Sequence, residues 1–218
     1  MKPLISDIVS PDAQQYAESH TSAEPPALEA LERWTHLHTA HPRMAAGHYQ
    51  GRLLEMLVSM ARPHLAVEVG SFVGYSTACI ARGLADDGVL HAIEVEEEYE
   101  QRIRLSLQQN GVGERVHLHI GDALQVIPSL PSPIDWAFID ADKGSNRAYY
   151  DLLLPKMSHG GYILIDNVLW SGKVLHADVN RDRDTLLLCQ FNDYVQSDPR
   201  VENVLLPLRD GLMLCRVL

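Results

Sequence analysis

"VEVGSFVGYS", residues 67–76, decides the architecture of this chain. A β-branched apolar run stops at two glycines, Gly70 and Gly74, and "YSTACIARGLADDG" (75–88) follows with helical periodicity. A buried strand that feeds a glycine turn and then a helix is the first step of a parallel βαβ unit. Working outward, the first run is "HLAVEVG" (64–70), and four more share its form: "GVLHAIEV" (88–95), "RVHLHIGD" (115–122), "IDWAFIDA" (134–141) and "GGYILIDNV" (160–168). Each is short and β-branched or aromatic enough for a strand covered on both faces. Helical patterns alternate with them: "EEEYEQRIRLSLQQNG" (96–111), "ALQVIPSL" (123–130) and "GSNRAYYDLLLPKMSHGG" (144–161), the last closing on a Gly pair suited to a helix C-terminus. The alternation predicts an α/β fold with a doubly wound, mostly parallel sheet and helices on both faces.

Two helices are expected before the sheet, over "PPALEALERWTHLHTAH" (25–41) and "GHYQGRLLEMLVSMARP" (47–63). After the fifth strand, "DRDTLLLCQFNDYVQSDPR" (182–200) is amphipathic, with Leu187, Phe191 and Val195 at i, i+4 and i+8. "VENVLLPL" (201–208) and "DGLMLCRVL" (210–218) meet at Arg209-Asp210-Gly211, which reads as a hairpin added antiparallel at the sheet edge.

A length of 218 residues fits one domain over 1–218, with helices in 1–60 and the sheet core in 61–218. The charge, 18 Lys+Arg against 29 Asp+Glu, is −11, which opposes loose attraction to nucleic acid or anionic membranes. No window approaches the ~20 apolar residues of a membrane-spanning helix, and the start, "MKPLISDIVSPDAQQYAESH", carries no apolar signal core. Cys79, Cys189 and Cys215 are few, odd in number and far apart, as expected of a reducing cytoplasm and not of a disulfide framework or thiolate metal site.

Ligands of open parallel sheets bind at the carboxyl ends of the strands, and there the acids collect. Gly70 and Gly74 permit close backbone approach, with Ser76 at the helix start as a carboxylate partner. The G-x-x-x-G spacing differs from the G-x-G-x-x-G of dinucleotide phosphate clamps. Glu94 closes the second strand 24 residues after Gly70, near the ~20 at which an acid accepts from ribose hydroxyls. Asp122 ends the third strand, placed to address an adenine edge. Strand four ends at Asp140 with Asp142 and Lys143 following, and strand five ends in Asp166-Asn167. Two carboxylates and an amide oxygen at one level suit Mg²⁺ or a similar hard divalent ion, although each Asx residue alone is an ordinary turn cap. His117 and His119 share a strand face without a third ligand at short spacing, so they read as packing or surface residues. Trp170, just beyond the Asx pair, is placed to wall an aromatic pocket.

With these residues in hand, the chain resembles the metal-dependent S-adenosylmethionine O-methyltransferases of the caffeoyl-CoA and catechol type. "MAAGHYQGRLLEML", "VEVGSFVGYS", "IEVEEEY", "GDA", "FIDADK" and "DNVLWSGKV" occur in the family's order from about residue 44 onward. The resemblance implies a seven-stranded Rossmann-like sheet whose last strand is antiparallel. It implies a donor site formed by Ala46 (backbone), Glu68, Gly70, Ser71, Ser76, Glu94, Ala123 and Asp140, a metal held by Asp140, Asp166 and Asn167, and Lys143 as the base at the acceptor hydroxyl. The cofactors expected are S-adenosyl-L-methionine and Mg²⁺, with Ca²⁺ or Mn²⁺ as alternatives. The expected acceptor is a small hydroxylated aromatic, catechol-like or phenylpropanoid, and the expected assembly a homodimer with contacts from the N-terminal helices. Ala45 and Ala46 replace more polar residues of the plant enzymes, and no basic cluster for a coenzyme A tail precedes Met44. Three rivals stand beside this reading: a transfer-RNA hydroxyuridine methyltransferase of the same family, disfavoured by the net charge; a nicotinamide dehydrogenase, disfavoured by the glycine spacing; and a non-catalytic adenosine-binding module, which has no use for the Asp140, Lys143, Asp166 and Asn167 set.

Overall fold

The computed structural model describes residues 8–218. Residues 1–7, part of the start read as lacking an export signal, lie outside the described residues. Seven strands form one sheet: β1 (Leu65–Val69), β2 (Val89–Glu94), β3 (Val116–Ile120), β4 (Ile134–Ile139), β5 (Met157–Asp166), β6 (Val201–Leu206) and β7 (Leu212–Val217). Their order is β3-β2-β1-β4-β5-β7-β6. β1 to β5 pair in parallel, whereas β7 runs antiparallel between β5 and β6. The expected fold class is the one observed. The chain reverses its direction of growth between β1 and β4, and that switch point is where an open parallel sheet leaves a crevice.

Alternate residues of each strand feed opposite faces, so both must be apolar. Ala66, Leu90, Phe138 and Leu164 face α2 (Pro26–His38), α3 (Gly47–Ala61), α4 (Tyr75–Gly83) and α5 (Glu100–Gln109), among Leu31, Leu54, Ile80 and Ile103. Val67, Ile139, Ile163 and Cys215 face α6 (Ala123–Val126), α7 (Asn146–Leu153) and α8 (Arg183–Gln196), among Tyr150, Leu153, Phe191 and Val195. No helix among the described residues is long and apolar enough to cross a membrane.

Two expectations about elements need correction. A further helix, α1 (Pro11–Ser19), precedes the two expected. Its signals were local: Ser10 accepts from Ala13 N at 3.3 Å as N-cap, and Pro11 opens the first turn. The helix expected to run to the Gly160-Gly161 pair stops at Leu153; Pro155 follows in a short 3₁₀ turn, and the pair lies inside β5. Pairing with β4 claims that segment, and the register shift between Ile134 and Trp136 absorbs its irregularity.

Candidate active site

The strand ladders continue one bond past their ends, which brings the acidic termini to one level. Asp140 N donates to Val69 O at 2.8 Å, Gly70 N to Ile93 O at 2.9 Å and Gly121 N to Glu94 O at 2.8 Å. A cleft of about 1220 Å³ opens over them. That exceeds the roughly 300–1,000 Å³ usual for one small ligand, leaving room for two molecules.

Glu94 organises the cleft floor. Its Oε2 accepts from Ser71 N at 3.1 Å and Phe72 N at 2.6 Å, and its Oε1 from Glu96 N at 3.0 Å. The carboxylate of β2 thereby shapes the loop after β1. That loop passes so close to β4 that a Cβ on Gly70, at φ +93°, would lie 2.1 Å from Asp140 O. Ser76 stands in the first turn of α4, and Ala123 opens α6. Asp122 lines the cleft too, while its Oδ1 caps α6 by accepting from Leu124 N at 2.9 Å. Ala46, Gly70, Ser71, Ser76, Glu94, Asp122, Ala123 and Asp140 all line this space.

Glu68 is the expected donor residue that does not. Strand alternation turns it to the α4 side, where it is 0% exposed and accepts from Ser71 Oγ at 3.1 Å and Thr77 Oγ1 at 2.5 Å. Burial pushes its carboxyl up to about 7 against the hydrogen bonds from Thr77, Ser76 and Ser71. It supports the loop from beneath.

Asp140, Lys143, Asp166, Asn167 and Trp170 line the other part of the same cleft. Asp166, 4% exposed, accepts from Gln50 Nε2 at 2.5 Å and from Asn167 N at 2.7 Å. Burial first, and then the charge of Asp140, push its carboxyl up to about 6. Lys143 Nζ lies 3.1 Å from Asp140 Oδ1, with its side chain 11% exposed. Asp142, also noted in the sequence, is spent on structure: it accepts from Ser145 N at 3.0 Å and Tyr149 OH at 2.7 Å.

A buried acid and a partly buried one that repel, together with an amide, form a donor set that fits a hard divalent cation. Among the described residues no group of three or more His, Cys, Asp or Glu side chains is arranged to hold a metal; the expected set contains only two acids.

The sequence reading missed Gln50 and Arg209. Arg209 lines the cleft and donates from Nη1 to Gln50 Oε1 at 3.1 Å. Neither residue announces itself, because the contacts span 116 and 159 positions. It also missed the third histidine: His91 of β2 pairs with His117 of β3, and its Nδ1 lies 2.9 Å from His119 Nε2.

Comparison with known proteins agrees with this geometry. A family model described as O-methyltransferase matches residues 18–218. Caffeoyl-CoA O-methyltransferase 1 of Eucalyptus globulus is 32% identical over 90% of this chain and 85% of its own length. Tricin synthase 2 of Oryza sativa is 35% identical over 77% of this chain, which spans 61% of that longer protein. An O-methyltransferase from Bacillus cereus, solved with SAH, superposes with a TM-score of 0.85 at 27% identity, covering 95% of this chain and 97% of the other. One from Streptomyces achromogenes involved in tomaymycin synthesis, solved with SAM, superposes with a TM-score of 0.85 at 28% identity, covering 94% and 96%. With the family model matching residues 18–218 and relatives solved with the methyl donor and its product, the chain belongs to the O-methyltransferase family, as a class I S-adenosylmethionine-dependent enzyme of the caffeoyl-CoA type.

Proposed function

We propose that this O-methyltransferase acts on one hydroxyl of a small aromatic acceptor with vicinal oxygens, assisted by a divalent metal held by Asp140, Asp166 and Asn167. The observation that carries the reading is the buried Asp166 facing the partly buried Asp140 and Lys143, in one cleft with the Glu94-shaped loop. In this reading the donor lies over Gly70 and Ser71, with Ser76, Glu94, Asp122 and Ala123 around it. The sulfonium supplies an electrophilic methyl. The metal, preferentially Mg²⁺, would supply a Lewis-acid charge that makes an adjacent hydroxyl more acidic.

This chain's residues do the rest. Lys143 Nζ, largely shielded from water, is placed to take the proton from the acceptor oxygen. For that step Lys143 would be the neutral amine, and Asp140 Oδ1, 3.1 Å away, would hold the ammonium that forms. Trp170 offers a flat wall to an aromatic ring, with Lys173 Nζ 5.5 Å from its ring centroid. The segment from Ala40 to Ala46 closes one side of the cleft, so the N-terminal part through residue 60 is read as acceptor cover and as the contact surface of a homodimer, a state that sedimentation would measure. Holding two reactants in line supplies much of the rate.

The test is methyl transfer from labelled donor to a catechol, with hydroxycinnamoyl-CoA esters, flavonoids and bulk tRNA as competing acceptors. EDTA is expected to abolish the transfer and Mg²⁺ to restore it. Full activity in chelator would remove the metal role, and preference for tRNA would remove the acceptor class.

A further inference from the structure

We propose that Arg209, at the β6–β7 turn, is the positioning residue for the metal ligand Asp166 at the end of β5, acting on it through Gln50. The inference rests on the metal reading above and concerns what aims that ligand.

A carboxamide can point either end at a neighbour, and what lies on both sides decides which. Gln50, 1% exposed on α3, lies between a group that only donates and a group that only accepts. The Arg209 guanidinium can bond only to the amide oxygen, at 3.1 Å; the Asp166 carboxylate can bond only to the amide nitrogen, at 2.5 Å. Arg209 therefore dictates that Gln50 presents its N–H to Asp166 Oδ2. With Asn167 N holding Oδ1, the carboxylate is gripped at both oxygens.

The neighbouring Asp210 accepts through Oδ1 from Ser171 N. The turn is itself pinned: Val168 N donates to Gly211 O at 3.1 Å and Leu169 N to Asp210 O at 2.9 Å. A Cβ on Gly211, at φ +87°, would meet Leu169 Cγ at 2.5 Å. The strand that enters the sheet antiparallel thus brings a turn against the β5 end.

The experiment titrates Mn²⁺ alone into the full chain and reads free Mn²⁺ by electron paramagnetic resonance. Partners behind metal ligands typically change affinity by about 10–100-fold. Gln50→Met, which keeps the length and removes both bonds, is expected to weaken Mn²⁺ binding in that range, and Arg209→Met by about tenfold. A bystander arginine predicts the opposite sign, because removing a nearby cation tightens cation binding. Arg209→Lys keeps a donor and should recover most of the loss. Because Arg209 acts through Gln50, the double Met variant should bind within about twofold of Gln50→Met alone. S-adenosylmethionine affinity, by calorimetry, should stay within about twofold throughout. Wild-type Mn²⁺ affinity in Gln50→Met, tighter binding in Arg209→Met, or fully additive losses would each overturn the inference while leaving the metal reading intact. If Gln50→Met fails to fold, the Arg209→Met and Arg209→Lys pair, at a turn, still decides the sign. No Mn²⁺ binding by the wild-type chain would remove the metal reading and this inference with it.

Discussion

Gly70→Ala should disable this protein in a way that Gly111→Ala does not, and the difference can be worked from the backbone. Both glycines have positive φ, +93° and +68°. A Cβ at Gly111 meets nothing within 4 Å, so its cost is the left-handed backbone alone, about 1–2 kcal/mol. At Gly70 the same atom would lie 2.1 Å from Asp140 O and 2.8 Å from Asp140 C, both backbone atoms that no rotamer change can move. The β1 loop or the β4 end must then shift by about 1 Å, at a further ~1–3 kcal/mol of overpacking. The total, about 2–5 kcal/mol, corresponds to a fall in melting temperature on the order of 10 °C for a chain of this size. A displacement of about 1 Å at the donor loop is also of the size that costs about a hundredfold in function. Thermal melts followed by circular dichroism, with calorimetric titration of S-adenosylmethionine, measure both effects. A Gly70→Ala protein that melts within about 2 °C of Gly111→Ala and binds the donor like wild type would refute the claim that this close approach holds the site together.

Other consequences are more local. Lys143→Met should lower turnover by about 10²-fold or more while donor affinity stays nearly unchanged; a wild-type rate would retire the base assignment. Burial, with the neighbouring His119 and His117, pushes His91 down to about 4. The folded chain therefore binds fewer protons there than the unfolded chain, and stability present above pH ~6.5 declines toward pH 4. His91→Phe should flatten that part of a urea-midpoint profile, and an unchanged slope would clear the cluster of the effect. Arg200, donating to Asp198 at 2.9 and 2.6 Å, holds that carboxyl down to about 2. The pair's contribution is present above pH ~4 and lost as pH falls through about 2. Because Arg200 is half exposed, it is discounted to about 1–2 kcal/mol. Asp198→Asn should show that loss at pH 6 in urea and nearly none at pH 2; an equal loss at both would point to packing instead.

The alternation of short apolar runs and helical patterns was legible because the central strands β1 and β4 are covered on both faces and so are mostly apolar. The carboxyl-end acids stood out as a set because they recur at the same end of successive strands, although each alone is an ordinary turn cap, as Asp122 and Asp142 are. Where reading failed, distant partners had decided. The 144–161 pattern looks helical to the Gly pair, yet pairing with β4 claims Met157 onward.

By itself, the order of residues determined the alternation of strands and helices and placed Glu94, Asp140, Asp166 and Asn167 at the carboxyl ends of strands, because period-two burial and the change from strand to helix are properties of neighbouring residues; the switch point came only with the strand order. Only the tertiary structure decided how those groups are aimed. Gln50 from α3 reaches Asp166 across 116 positions, Arg209 from the last hairpin reaches Gln50 across 159, and His91 joins His117 and His119 only through the β2–β3 register. Hydrogen bonds that set the orientation of a side chain depend on distance in space, and no spacing along a chain records them.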